Sequence, residues 1–221
     1  MKIANTMFSN KIEIDDGELF SLIIENPHLY RAFLEDIYRQ ANGDDGSTVI
    51  SENNTPISFA KSADILDSFT PFNHNSKKML SCINSILESK AVDEEYHLKT
   101  NSMLASIENY IADLSFDMPF RTQCDGLSVQ SFIKFLKVSV ADDCETLVET
   151  IIQYMKILSS LGKCNFFICI GLLGIMTDEE IAEFENEVRK QQLQVLLIDS
   201  HARNNTNNLN RLTIDNDLCE F

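Results

Sequence analysis

Two apolar runs constrain this chain more than any other feature. Asn165 to Ile170 reads NFFICI and Leu193 to Ile198 reads LQVLLI. A strand apolar on both faces is one buried on both faces, the habit of parallel sheets covered by helices. Between the runs, Thr177-Asp178-Glu179-Glu180 forms a capping box with acids in the first helical turn, where they complement the helix dipole. The helix it opens carries Ile181, Phe184 and Val188 and closes on Arg189-Lys190. Strand, helix and strand of this kind predict a parallel β-α-β unit.

The first sixty residues have the same mixed character. Ile12 and Ile14 alternate with Lys11, Glu13 and Asp15, and Phe20 to Glu25 is a mostly apolar run of strand length. Asn26-Pro27 then supplies an N-cap and an N1 proline. The helix predicted behind it runs to about Ala41, with Leu29, Phe33, Leu34 and Ile37 on its apolar face. Asn53-Asn54 between two short strand-like pieces predicts a hairpin. Ile65-Leu66 is a further apolar core, and Leu212 to Ile214 is a candidate edge strand.

The middle of the chain is different. Apolar residues recur at helical spacing from Ser76 to Leu87, from Leu98 to Leu114, over Leu127 to Lys137, and from Asp142-Asp143 through Leu161. No convincing strand interrupts them, which predicts a helical hairpin or small bundle. The fold class expected is therefore α/β. Residues 1–70 and 162–221 together would make one domain from both chain ends, with residues 71–161 as an α-helical insertion. Seven glycines and four prolines in 221 residues speak against a loop-rich sandwich or long linkers.

Net charge is −16. That excludes indiscriminate coating of nucleic acid or an anionic membrane, but not a basic groove within an acidic exterior. The six cysteines (82, 124, 144, 164, 169 and 219) include no Cys-x-x-Cys pair, so neither a zinc ribbon nor a redox site is indicated and all are read as reduced. Met1 to Asn5 opens no apolar run, and no window has the length of a bilayer span. A cytoplasmic protein without a membrane partner is expected.

Several segments imitate catalytic motifs and fail on detail. Gly162-Lys163 precedes a strand instead of following one, Cys164 stands where a P-loop needs Ser or Thr, and no upstream glycine completes the cradle. Val195 to Asp199 resembles the strand that ends in a magnesium-holding aspartate; without a cradle, Asp199 reads as a solvated strand end. Gly171-Leu172-Leu173-Gly174 lacks the third glycine of the dinucleotide fingerprint and reads as a strand-to-helix turn. The four histidines, at 28, 74, 97 and 201, read as ordinary surface residues. No motif supports an enzyme.

The order of these features resembles one family. The Asn-Pro-capped helix, the hairpin, the helical segment opening with Asn75-Ser76-Lys77-Lys78, and the C-terminal block carry the likeness. That block comprises Tyr154 to Leu161 (YMKILSSL), the NFFICI strand, Leu173 to Glu180 (LGIMTDEE) and LQVLLIDS. The family is the small adaptation protein of type II-A CRISPR loci, which encircles double-stranded DNA as a homotetrameric ring.

The resemblance implies a head domain built like a P-loop ATPase without a functional nucleotide site, and a helical leg. It further implies non-catalytic, sequence-independent binding of double-stranded DNA ends during spacer acquisition. The CRISPR integrase proteins and the RNA-guided effector nuclease of the locus would be partners, and calcium ions would rigidify the ring. In the loop from Asp117 to Asp125 only those two aspartates remain as calcium ligands, with Arg121 between them. For DNA, Lys134 and Lys137 lie three apart, opposite Phe132 and Leu136, with Lys156 on the next helix and Lys77 and Lys78 as further candidates; repeated by ring symmetry, they would track phosphates. Two alternatives stand beside this reading: a degenerate ATPase-like protein that keeps weak nucleotide binding through Asp199, and a protein scaffold of the adaptation complex.

Overall fold

The computed structural model describes residues 1–123, 125–141, 143–203 and 209–221. Cys124, Asp142 and the start of the Asn-rich tail lie outside the described residues. The chain divides into two units, Met1–Asn73 with Cys144–Phe221, and His74–Asp143.

The first unit is built on five strands: β3 (Glu18–Ile24), β6 (Ala63–Leu66), β7 (Phe166–Ile170), β8 (Gln194–Asp199) and β9 (Asn210–Ile214). Every pairing in the order β6-β7-β8-β3-β9 is parallel. The NFFICI and LQVLLI runs are thus neighbours, Phe166 opposite Gln194 and Ile170 opposite Ile198, joined by α7 (Asp178–Lys190). Both capping-box bonds predicted at Thr177 and Glu180 are present. Alternate residues of β7 and β8 serve opposite faces. Ile168, Leu196 and Ile198 enter a core with Phe33 and Ile37 of α1 (Pro27–Ala41).

A second sheet, antiparallel in the order β2-β1-β4-β5, contributes Ile3, Ile12 and Ile50 to that core. Its strands are β1 (Lys2–Ala4), β2 (Ile12–Glu13), β4 (Val49–Glu52) and β5 (Thr55–Ile57). Asn53 and Asn54 both take positive φ, 49° and 61°, as the hairpin turn between β4 and β5 requires. A single-turn helix, α2 (Phe59–Ser62), leads into β6.

The second unit holds α3 (Lys77–Ala91), α4 (His97–Ser115) and α5 (Val129–Leu136). The insertion ends earlier than residue 161. The helix expected to close it, α6 (Leu147–Ser160), belongs to the sheet unit. Its face of Val148, Ile151, Met155 and Leu158 is fully buried, and Tyr154 donates to Asp64 of β6 at 2.8 Å. It starts at a Thr146 cap, later than Asp142-Asp143.

Candidate functional site

In open parallel sheets ligands sit outside the carboxyl ends of the strands, and phosphates sit on the N–H groups of a helix that follows one. Here β3 passes into α1 through Glu25-Asn26-Pro27. Pro27 brings no N–H, and Asn26 Oδ1 already accepts from the amides of His28 and Leu29 at 3.0 and 3.1 Å. The first amides of α1 are therefore absent or occupied, and no glycine loop stands before them. Gly162-Lys163 lies ahead of β7, at the opposite end of that strand.

Asp199 closes β8 at the carboxyl end, and it is buried, not solvated as the sequence suggested. Leu173 N–H donates to its Oδ2 at 3.4 Å, tying β8 to the turn that follows β7. Burial pushes the carboxyl up to about 7, against the stabilising pull of the Leu173 and Gly174 amides and the Arg203 guanidinium. Arg203 itself donates to the Met176 carbonyl and lies 3.9 Å from Asp178. Two further groups register the aspartate. Burial, then the Asp199 charge, raises the Tyr30 phenol. Burial, with the charges of Asp199 and Asp64, raises the Cys169 thiol. Asp199 is thus a carboxyl half-protonated near neutral pH, held by backbone amides. Strand-end position alone carried no signal for that burial.

The lysines lie in separate places. Lys77 and Lys78 are exposed at the start of α3, after the Ser76 cap. Lys134 is exposed on α5, but Lys137 is not on the helix with it. It is the C-cap, in the left-handed region at φ 50° and ψ 49°. The packing residue of α5 is Ile133; Phe135 is 81% and Leu136 54% exposed, so Leu136 does not mark a buried face opposite the lysines. Lys156 is exposed on α6, in the other unit, and shares a groove of about 340 Å³ with Glu149, Glu183 and Glu187. The groove that Lys156 lines is therefore lined by three glutamates as well.

Asp117 and Asp125 are both exposed in the segment between α4 and α5. Among the described residues, no three His, Cys, Asp or Glu side chains gather around one point. Two carboxylates fall short of the six to eight oxygens that calcium takes, so these residues by themselves do not make a calcium site. The histidines also need one correction: His74 is buried, 8% exposed, with Nε2 unpartnered. Among the described residues, Cys82, Cys144, Cys164, Cys169 and Cys219 are not joined to one another by disulfides.

Comparison with known proteins adds the family. The profile described as CRISPR-associated protein (Cas_Csn2) matches residues 40–218. The chain belongs to the Cas_Csn2 family. Among solved structures, Stu0660 of Streptococcus thermophilus is similar with a TM-score of 0.61 at 11% identity, over 97% of this chain and 75% of that one. A Pyrococcus furiosus protein named as a putative ABC transporter ATP-binding protein aligns at a TM-score of 0.41 and 10% identity, over 96% and 97% of the two chains. Among curated proteins, sequence comparison finds no match. The Cas_Csn2 match begins inside α1 and spans both units, so it covers the turn behind β7, Asp199 and all five candidate lysines. No helix among the described residues is long and apolar enough to cross a membrane.

Proposed function

We propose that this Cas_Csn2 protein is a non-catalytic component of CRISPR spacer acquisition in the cytoplasm. It closes as a homotetrameric ring on double-stranded DNA and holds DNA ends without sequence preference. The family match over residues 40–218 carries this reading. Its non-catalytic part is supported by the start of α1, where Pro27 and the Asn26 cap leave no amide cradle for a phosphate. The sheet unit is then a P-loop-ATPase-like head that has given up nucleotide, and the helical unit a leg. Integrase proteins and the RNA-guided effector nuclease of the locus are its partners.

Lys134 and Lys137 contact phosphates, with Lys77 and Lys78 as further contributors; Lys156 is the weakest candidate because of its three glutamate neighbours. Calcium, where it binds, completes its shell beyond Asp117 and Asp125 with backbone or second-copy oxygens.

The test is binding of linear and covalently closed circular duplex of equal length, with the protein's mass measured by light scattering. A tetramer that binds linear DNA tightly and the circle poorly is expected, because a ring must load over an end. Equal affinity for both, or a monomer at micromolar concentration, defeats the proposal. A second reading, residual nucleotide binding, is favoured by the place of Asp199 at the carboxyl end of β8. Calorimetry with magnesium and ATP decides it: measurable heat of binding would replace the first reading.

A further inference from the structure

Phe135 is 81% exposed on α5, two positions after Ile133, the residue that packs this helix into its unit. Two positions along a helix turn the side chain by about 200°, so the ring leaves on the side away from that packing. Among the described residues it meets no other aromatic ring. Leu136 beside it is 54% exposed. The surroundings are cationic. From Gly126 to Ala141 this acidic chain holds no Asp or Glu, and Lys134 and Lys137 bracket Phe135 and Leu136. Both lysines are exposed, and neither joins an ion pair among the described residues. The carboxylate of Glu108 meets the other end of α5, accepting from the Leu127 amide at 3.0 Å. A helix C-terminus attracts cations, which accounts for lysines there but not for an aromatic ring in water. Two other exposed phenylalanines, Phe116 at 88% and Phe120 at 64%, stand on either side of Asp117 in the chain, whose charge repels phosphate.

We propose that Phe135 is a stacking platform for an unpaired base at the end of a DNA duplex, with Lys134 and Lys137 holding the phosphates beside it. The inference rests on the DNA-end reading above and gives it a contact to the end itself, beyond the duplex backbone. An aromatic face set among free cations is how proteins take single strands: the cations follow phosphates, and a base lies on the ring. Every base has such a face, so the contact keeps its independence of sequence. A paired base is held in its stack, whereas an overhang base turns onto the ring at little cost. A protein partner fits this patch less well, because lysines are depleted where aromatic residues anchor protein interfaces. Leu136 extends the apolar surface next to the ring.

The experiment compares blunt duplex with duplex of the same base-pair count carrying a short single-stranded overhang, 3′ or 5′. Wild type should bind the overhang duplex tighter by about fivefold or more. In Phe135→Ala that ratio should fall to one, with the salt slope of the wild type kept, because no phosphate contact is lost. Phe135→Trp should keep the preference. The chain has no tryptophan of its own, so the new indole is the sole one, and its emission should fall with overhang DNA but not with blunt DNA. An overhang preference that survives Phe135→Ala, or an indole whose emission does not respond, overturns the stacking role. A change of light-scattering mass in Phe135→Ala also overturns it, since the ring would then lie between copies of the chain. In each of these cases tight binding of blunt duplex by the wild type leaves the DNA-end reading standing. A wild type that binds neither duplex defeats that reading itself.

Discussion

Replacing Asp199 by asparagine should stabilise the protein above neutral pH. The carboxyl is 7% exposed and keeps its proton to about pH 7, whereas in the unfolded chain it loses it near 4. The sign follows from the proton count. Between those two values the folded state binds more protons than the unfolded one, so stability falls as pH rises through the window and levels off above it. About three pH units of late ionisation correspond to at most about 4 kcal/mol, and local water entry brings the expectation to roughly 2–4 kcal/mol.

Asparagine retains a carbonyl oxygen for the Leu173 amide and carries no charge to bury, so its stability should be nearly flat over the same range. Urea or thermal unfolding of both proteins at pH 4.5, 7 and 8.5 gives the comparison. Near-equal stability is expected at the lowest of these, and a variant melting roughly 4–15 °C higher at the highest. A variant less stable than wild type at the highest pH would refute the reasoning. It would mean that the ionised carboxylate is stabilised in the folded state, as a bound cation would do.

Asp36, 5% exposed on α1, accepts from Thr48 Oγ1 at 2.6 Å, the Ser47 and Thr48 amides at 2.7 and 2.9 Å, and Gln40 at 2.9 Å. Burial raises its carboxyl, and these bonds together outweigh burial and hold it below the usual range. Asp36→Asn turns an amide donor toward donors, so a loss of about 2–4 kcal/mol is expected at pH 7 by urea unfolding; the deficit should narrow as pH falls below about 4, through the folded value. Lys134→Glu/Lys137→Glu/Lys156→Glu, with tetramer mass confirmed, should weaken duplex binding and flatten its salt dependence, by about 0.9 in log–log slope for each phosphate that is no longer neutralised; an unchanged slope would remove these residues from the interface. If calcium is held at Asp117 and Asp125, chelator should lower the melting temperature of the wild type but not of Asp125→Ala; an insensitive wild type would end that assignment.

The sheet was legible where burial writes itself as a continuous apolar run, as in NFFICI and LQVLLI, and the helices where a cap marks their start, at Asn26 and Thr177. Short elements were not. β1 has three residues, and its pairing of Ile3 with Ile50 joins positions 47 apart in sequence, which no local pattern records. Periodicity gave α6 its apolar stripe but not the core that stripe joins; Tyr154 is an aromatic at helical spacing whether or not Asp64 waits across it. Lys137 shows the limit for the candidate site. Spacing places it on one face with Lys134, while the left-handed backbone that ends α5 takes it off the helix. Convergence of lysines from several elements depends on assembly, and a single chain's sequence holds no register for it.

Two features of the sheet unit bear on each other. A phosphate site at the start of α1 would need open amides and a nearby cation-holding carboxylate; this chain has closed the first with Asn26 and Pro27 and buried the second. A permanently charged carboxylate is costly in a buried place, and burial answers by raising the Asp199 carboxyl to about 7. The carboxyl then serves as a tie between β8 and the Leu173–Gly174 turn. The amides that hold it, and Arg203 beyond them, are what a purely apolar residue at this position could not engage. An acidic residue at the carboxyl end of β8 can thus do structural work through its backbone partners. That is why the pH dependence of Asp199, and not its mere presence at the end of β8, separates a retained nucleotide site from a vestigial one.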